Sequence, residues 1–144
     1  MKLNADVVQL ARLVLKRYQA TIEEATRPSG LNPLEGLLVT FLCNNPDKDT
    51  PAEAVRYLHL SKGNVSSVVL SLERQGYLER RSDPLDHRKC HLSLTAKAQP
   101  LCETIQEARK KFFGQLFAGL SPEACRDLNN DADILLRNMD HDKE

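Results

Sequence analysis

The sequence predicts a mostly helical fold with one small β-hairpin, and three observations carry that prediction. Apolar residues recur every three or four positions through most of the chain, as in Val7, Leu10, Ala11, Val14, Tyr18 and Ile22, which places them on one face of an α-helix. Residues that cap helices stand directly before proline at Asn32-Pro33, Thr50-Pro51 and Ser121-Pro122, the usual order at a helix start. Between Gly76 and Thr95, two short segments of strand type flank the turn-forming run Ser82-Asp83-Pro84-Leu85-Asp86.

The first helix should end before Arg27-Pro28-Ser29-Gly30, where proline and glycine break the pattern. Asn32 then caps a second helix with Leu34, Leu37, Leu38, Phe41 and Leu42 on one face, which stops at Asn44-Asn45-Pro46-Asp47. Thr50-Pro51-Ala52-Glu53 reads as a capping box, its hydroxyl and carboxylate each meeting a free backbone donor, and opens a short third helix to about His59. Ser61 caps a fourth, in which Val65, Val68, Val69 and Leu72 form a buried stripe, Leu70 falls opposite, and Gly76 marks the end. Strands are expected over 77–81 and 89–94.

Thr95 is placed to cap a fifth helix with Leu101, Ile105, Ala108, Phe112 and Leu116 on one face. Pro100 removes a backbone donor there, so the helix starts nearer Gln99 or bends. Behind Ser121-Pro122, a sixth helix carries Leu128, Ala132, Leu135 and Leu136 to about Met139, and the acidic tail beyond it should fray. Together the elements read as a winged helix-turn-helix region over 31–98, an N-terminal dimerisation helix over 1–30, and C-terminal dimerisation helices with the frayed tail over 99–144.

The 144 residues suit one such unit with helical arms. Net charge is zero, so overall charge does not advertise an anionic partner. The distribution is more informative: Arg56, Lys62, Arg74, Arg80, Arg81, Arg88, Lys89 and Lys97 crowd the middle, and Asp131, Asp133, Asp140, Asp142 and Glu144 the end. Arg12, Lys16 and Arg17 interrupt the apolar N-terminal run, which predicts neither a signal peptide nor a membrane span and places the chain in the cytoplasm. Cys43, Cys90, Cys102 and Cys125 show no Cys-x-x-Cys spacing, so free thiols and no structural disulfide are expected.

Two short helices joined through His59-Leu60-Ser61 form a helix-turn-helix whose second member suits a DNA major groove. Ser61, Lys62, Gly63, Asn64, Ser66 and Ser67 give its start small polar side chains that let the backbone approach DNA and offer hydrogen bonds to base edges or phosphates. The helix N-terminus adds its free N–H groups. Arg80 and Arg81 on the first strand, and His87, Arg88 and Lys89 at the hairpin tip, supply cations for a second groove or the sugar-phosphate backbone. Asp83 and Asp86 are expected to pair with arginines and shape the tip.

Other chemistries find less support. Cys90 lies beside Arg88 and Lys89, which would favour a reactive thiolate, although its parity with Leu92 and Leu94 turns it inward; it stands as the redox candidate. His87, Cys90 and His91 alternate across a strand and do not converge on a metal. No phosphate-binding glycine loop, nucleophile elbow or cofactor motif is found, so no enzyme activity and no cofactor are expected. A winged helix used to dock protein is the alternative outside DNA binding.

The run Leu60-Ser61-Lys62-Gly63-Asn64-Val65-Ser66-Ser67-Val68-Val69, followed by Leu72-Glu73-Arg74-Gln75-Gly76-Tyr77-Leu78-Glu79-Arg80-Arg81, Asp83-Pro84-Leu85-Asp86-His87-Arg88 and Leu92-Ser93-Leu94-Thr95, resembles the MarR family of bacterial regulators. The match covers about Leu58 to Thr95, and Asp86 and Arg88 stand at the family's Asp-x-Arg element, whose arginine enters the minor groove. Ser67 and Ser71 occupy positions where the family often carries basic residues, and Ala98 one where glycine is usual. The resemblance implies a repressor that is relieved by a small aromatic or amphipathic ligand. A homodimer on double-stranded DNA with an inverted repeat follows from the small footprint of one winged unit, with Phe112, Phe113, Phe117 and Leu120 as candidate partner-facing residues.

Overall fold

The computed structural model describes residues 3–140, with side chains from Asp6 onward. Its order is α1 (Leu3–Thr26), α2 (Pro33–Asn44), α3 (Pro51–Leu58), α4 (Lys62–Arg74), β1 (Leu78–Ser82), β2 (Cys90–Leu94), α5 (Gln99–Leu116) and α6 (Pro122–Met139), with 3-10 turns at Arg27–Ser29 and Ala96–Ala98. The expected winged helix-turn-helix architecture is present. Two compact units divide the chain, one up to Lys110 and one from Lys111. None of the described helices is long and apolar enough to cross a membrane.

The first unit is built around α2. Leu38, Val39 and Phe41 are almost wholly buried and share a core with Ile22 of α1, Ala54 of α3, the Val65/Val68/Val69/Leu72 stripe of α4, Leu78 and Leu92 of the hairpin, and Leu101 and Ile105 of α5. Burial of that stripe is the main force holding α4, because its mixed serine and valine content gives little intrinsic helix preference. Gly36 brings α2 against α1 so closely that a Cβ there would lie 2.7 Å from Thr26 Oγ1. Only the second half of α1 joins this core. Val7, Val8, Leu10 and Leu13 of its first half, and Leu15 just beyond, are exposed.

Asn32 and Glu35 form a reciprocal capping box: Glu35 N donates to Asn32 Oδ1 at 2.9 Å and Asn32 N donates to Glu35 Oε1 at 3.1 Å. Glu35 is itself buried, and its second oxygen accepts from Ser71 Oγ at 3.0 Å and from Gln75 Nε2, which ties the start of α2 to the end of α4. The box at Thr50 is only half made. Glu53 N donates to Thr50 Oγ1, but the Glu53 carboxylate accepts from that same hydroxyl rather than from the Thr50 backbone.

The hairpin is antiparallel, with Leu78 opposite Leu94 and Ser82 opposite Cys90. Each strand starts one residue later than its sequence pattern predicts: Tyr77 N is taken by Leu72 O at 3.0 Å in closing α4, and Lys89 N is taken by Asp86 O at 2.9 Å in the tip turn. Gly76 makes that closure possible at φ 81°, in the left-handed region glycine tolerates. Thr95 does not cap α5 through its side chain; it donates to Gly76 O at 2.6 Å instead. A 3-10 turn covers the gap, and α5 begins at Gln99 with Pro100 in its first turn, where a missing donor costs nothing.

One expectation is overturned. Cys43 and Cys102 form a disulfide, with Cα atoms 6.0 Å apart. Fifty-nine residues separate them, and spacing arguments do not register proximity created by packing α5 on α2. Cys90 and Cys125 are free thiols.

In the second unit, α6 opens as its sequence predicts, with Ser121 Oγ accepting from Ala124 N at 3.1 Å and Pro122 next. Leu128, Ile134, Leu135, Leu136 and Met139 are all exposed. The aromatic rings at the end of α5 contact one another along the helix, Phe112 meeting Phe113 edge to face at 5.3 Å and Phe113 stacking on Phe117 at 5.9 Å. The expected frayed tail lies outside the described residues from 141 onward.

Candidate nucleic-acid interface

The connection between α3 and α4 is compact because His59 takes φ 54°, ψ 38°, a left-handed conformation that ends α3 within one residue. Ser61 then restarts the helix, its Oγ accepting from Asn64 N at 3.1 Å. The valine stripe fixes which face of α4 is inward. Ser61, Lys62, Gly63, Asn64, Ser66 and Ser67 are consequently all exposed on the other side. Gly63 has only Ser61 Oγ, at 4.0 Å, near where a Cβ would be, so nothing inside the molecule requires glycine there. Leu70 is 38 % exposed, and Ser71 is turned inward onto Glu35.

The hairpin is fastened to α4 by Arg80, whose Nε and Nη2 reach the two Glu73 oxygens at 2.8 and 3.1 Å. That ion pair holds the Glu73 carboxyl below its usual range and the Arg80 guanidinium above its own. Arg81 lies 3.6 Å from Glu79 on the same strand. Both arginines of β1 therefore already have carboxylate partners, a competition invisible in a basic run read as sequence.

At the wing tip, Asp86 Oδ1 accepts from Arg88 N at 3.0 Å and from Arg88 Nε at 3.4 Å, while Lys89 N closes the turn on Asp86 O at 2.9 Å. The Arg88 side chain remains 93 % exposed. Asp83 departs from expectation. It accepts from the backbone of Leu85 at 2.8 Å and Asp86 at 3.0 Å, and its charged partner is His91 rather than an arginine.

His91 is a group the sequence reading passed over except as a rejected metal ligand. Its Nδ1 lies 2.7 Å from Asp49 Oδ1 and its Nε2 lies 2.8 Å from Asp83 Oδ2. Only a protonated imidazole donates from both ring nitrogens. Hydrogen bonds to Asp83 and then Asp49 accordingly raise the His91 pKa, and Asp83 is pulled down to about 2, chiefly by His91 and secondarily by the two backbone donors. Leu92 N donates to Asp49 O at 2.7 Å beside this bridge. The tip-ward half of the wing is thus pinned to the loop before α3. Cys90, one residue away, is half-buried against the core, and among the described residues no group of His, Cys, Asp and Glu is placed to hold a metal.

Tyr18 and Arg109, noted in sequence only as types suited to a ligand, contact each other, with Arg109 Nη1 donating to Tyr18 Oη. A separate open cavity of about 680 Å³ lies where α2, β2 and α5 meet, lined by Leu42, Leu94, Gln99, Glu103 and the Cys43–Cys102 pair among others.

Comparison with known proteins agrees with this geometry. The MarR family model matches residues 29–89. The uncharacterized HTH-type transcriptional regulator YkoM of Bacillus subtilis (strain 168) is 30% identical over 119 residues, spanning 81% of this chain and 77% of that protein. The HTH-type transcriptional regulator PapX of Escherichia coli is 22% identical over 120 residues, spanning 83% and 73%. Among solved structures, a MarR-family regulator from Silicibacter pomeroyi superposes with a TM-score of 0.78 at 17% identity, covering 94% of this chain and 90% of that one. A MarR regulator from Methanosarcina mazei Go1 gives 0.75 at 20%, covering 94% and 96%.

Proposed function

The chain belongs to the MarR family of DNA-binding transcriptional regulators, and from that premise we propose that it is a cytoplasmic homodimeric repressor that reads an inverted repeat and is released by a small amphipathic or aromatic ligand. The observation that carries this reading is the pairing, within one unit, of a helix start whose exposed face is Ser61, Lys62, Gly63, Asn64, Ser66 and Ser67 and a wing tip whose Arg88 side chain is 93 % exposed, with its Nε 3.4 Å from Asp86 Oδ1. The first turn of α4 enters the major groove, where Asn64, Ser66 and Ser67 meet base edges and Lys62 and the Ser61 end meet phosphate. Arg88 enters the neighbouring minor groove with His87 and Lys89 on its backbone. Arg80 and Arg81, already paired with Glu73 and Glu79, reach phosphate only by exchanging those partners and so contribute less than Arg88.

Two copies are needed because one helix and wing cover too little DNA to single out a site. The exposed apolar faces of α1 and of α6 support that pairing, since contiguous exposed apolar surface on a monomer marks an interaction face. The cavity beside α5 supports the ligand response.

Selection of bound sequences from random duplexes tests the reading, with a two-fold site expected at half-sites about one DNA turn apart. On the selected duplex, Arg88→Ala should weaken binding roughly tenfold in a gel-shift titration. Unchanged affinity would remove Arg88 from the interface, and recovery of no duplex at all at low salt would leave the protein-docking use of the wing.

A further inference from the structure

Cys43 and Cys102 stand where two helices with different destinations meet. α2 is the centre of the first unit, whereas α5 runs on past Lys110 into the second. One turn further along α5, Gln106 Nε2 donates to Asn44 Oδ1 at 2.7 Å, so the sulfur link and one hydrogen bond fasten the same edge. The chain between the two sulfurs, residues 44–101, contains α3, α4 and the hairpin. Every residue assigned above to DNA lies inside that covalent loop. Both cysteines are only half-buried and line the open cavity, so a small oxidant or thiol reaches them from solvent.

We propose that Cys43 and Cys102 are a reversible oxidation site at which disulfide formation by a hydroperoxide locks α5 onto α2 and weakens DNA binding. The inference rests on the DNA-binding reading, which places the protein beside the chromosome in a thiol-rich compartment where such a pair stays reduced until an oxidant arrives. One thiolate attacks the peroxide oxygen, the O–O bond breaks, and an alcohol leaves a sulfenic acid. The second thiolate attacks that sulfur, the S–O bond breaks, and water departs. Two thiols lose two electrons and two protons, and the hydroperoxide becomes an alcohol and water. Thiol exchange reverses it. In the dithiol form, this edge is held by packing and the Gln106–Asn44 bond, which leaves α5 free to adjust as the recognition elements seat in DNA; the crosslink removes that freedom.

The test compares dithiothreitol-reduced full-length protein with protein oxidised by cumene hydroperoxide, the link being confirmed by peptide mass. Fluorescence anisotropy on the selected duplex should show affinity at least tenfold lower after oxidation, restored by dithiothreitol. Cys43→Ser and Cys102→Ser should bind like the reduced protein and ignore the peroxide, while Cys90→Ser and Cys125→Ser should still respond. Equal affinity in the two forms, tighter binding after oxidation, or a response that survives in Cys43→Ser overturns the proposal. So does a disulfide that stays closed in millimolar reduced glutathione, a readout that needs no DNA. Absence of binding in the reduced form counts instead against the DNA-binding reading itself.

Discussion

Gly63 separates folding from function at a single position. A glycine in a helix costs about 0.5–1 kcal/mol relative to alanine, and here no neighbouring atom demands it. Gly63→Ala should therefore leave the thermal midpoint unchanged or slightly higher, yet weaken duplex binding severalfold, because the added methyl would stand between the α4 backbone and the DNA. Equal affinity of the alanine variant would show that this turn does not approach DNA closely. Sequence patterning located Gly63 on the outer face because four aliphatic residues at helical spacing fix the inner one. It did not separate Ser67, which is exposed, from Ser71, which donates to buried Glu35; a hydroxyl reads alike in both settings until its tertiary partner is known.

The wing is the element whose placement depends on charge. His91 on β2 bridges Asp49, from the loop before α3, and Asp83 from the tip, with Arg81 opposite it in the hairpin register. Because the folded state raises the His91 pKa above 6.5, the bridge stabilises fully below that value, and its contribution is lost as pH climbs through the raised one. Asp83 acts in the opposite sense. Its carboxylate, held at about 2, contributes above 3.8 and loses that contribution only as pH falls toward 2. The difference in thermal midpoint between the wild-type protein and His91→Gln should accordingly be wide at about pH 5.5 and narrow at about pH 8.5; a constant difference would mean that the second hydrogen bond carries no charge. The hairpin itself was legible from residue alternation and turn chemistry, but this anchoring was not, since Asp49 and His91 are remote in sequence and meet only when β2 packs beside the α2–α3 loop. Thr95 illustrates the converse: a sound capping residue was diverted at the strand-to-helix corner, where its hydroxyl donates to Gly76 O.

At the scale of the whole molecule, the proposed homodimer rests on apolar surface that neither unit's own core uses. Leu135 and Leu136 are 60% and 67% exposed on α6. Leu135→Glu should convert the protein to monomer in sedimentation equilibrium and reduce affinity for the two-fold site at least tenfold, with helix content unchanged by circular dichroism; a variant that remains dimeric would assign the interface elsewhere. Helical arms were legible because their apolar stripes exceed what one small winged unit encloses. The covalent link across α2 and α5 was not, and in chain-entropy terms a loop of this length stabilises the folded state by about 4 kcal/mol. The same closed loop governs how the oxidised protein breaks. Leu85, at the wing tip, is 97% exposed and offers a protease an entry, but a cut there lies between the two sulfurs. The severed pieces would stay tethered and migrate together, and only a reductant would let them part.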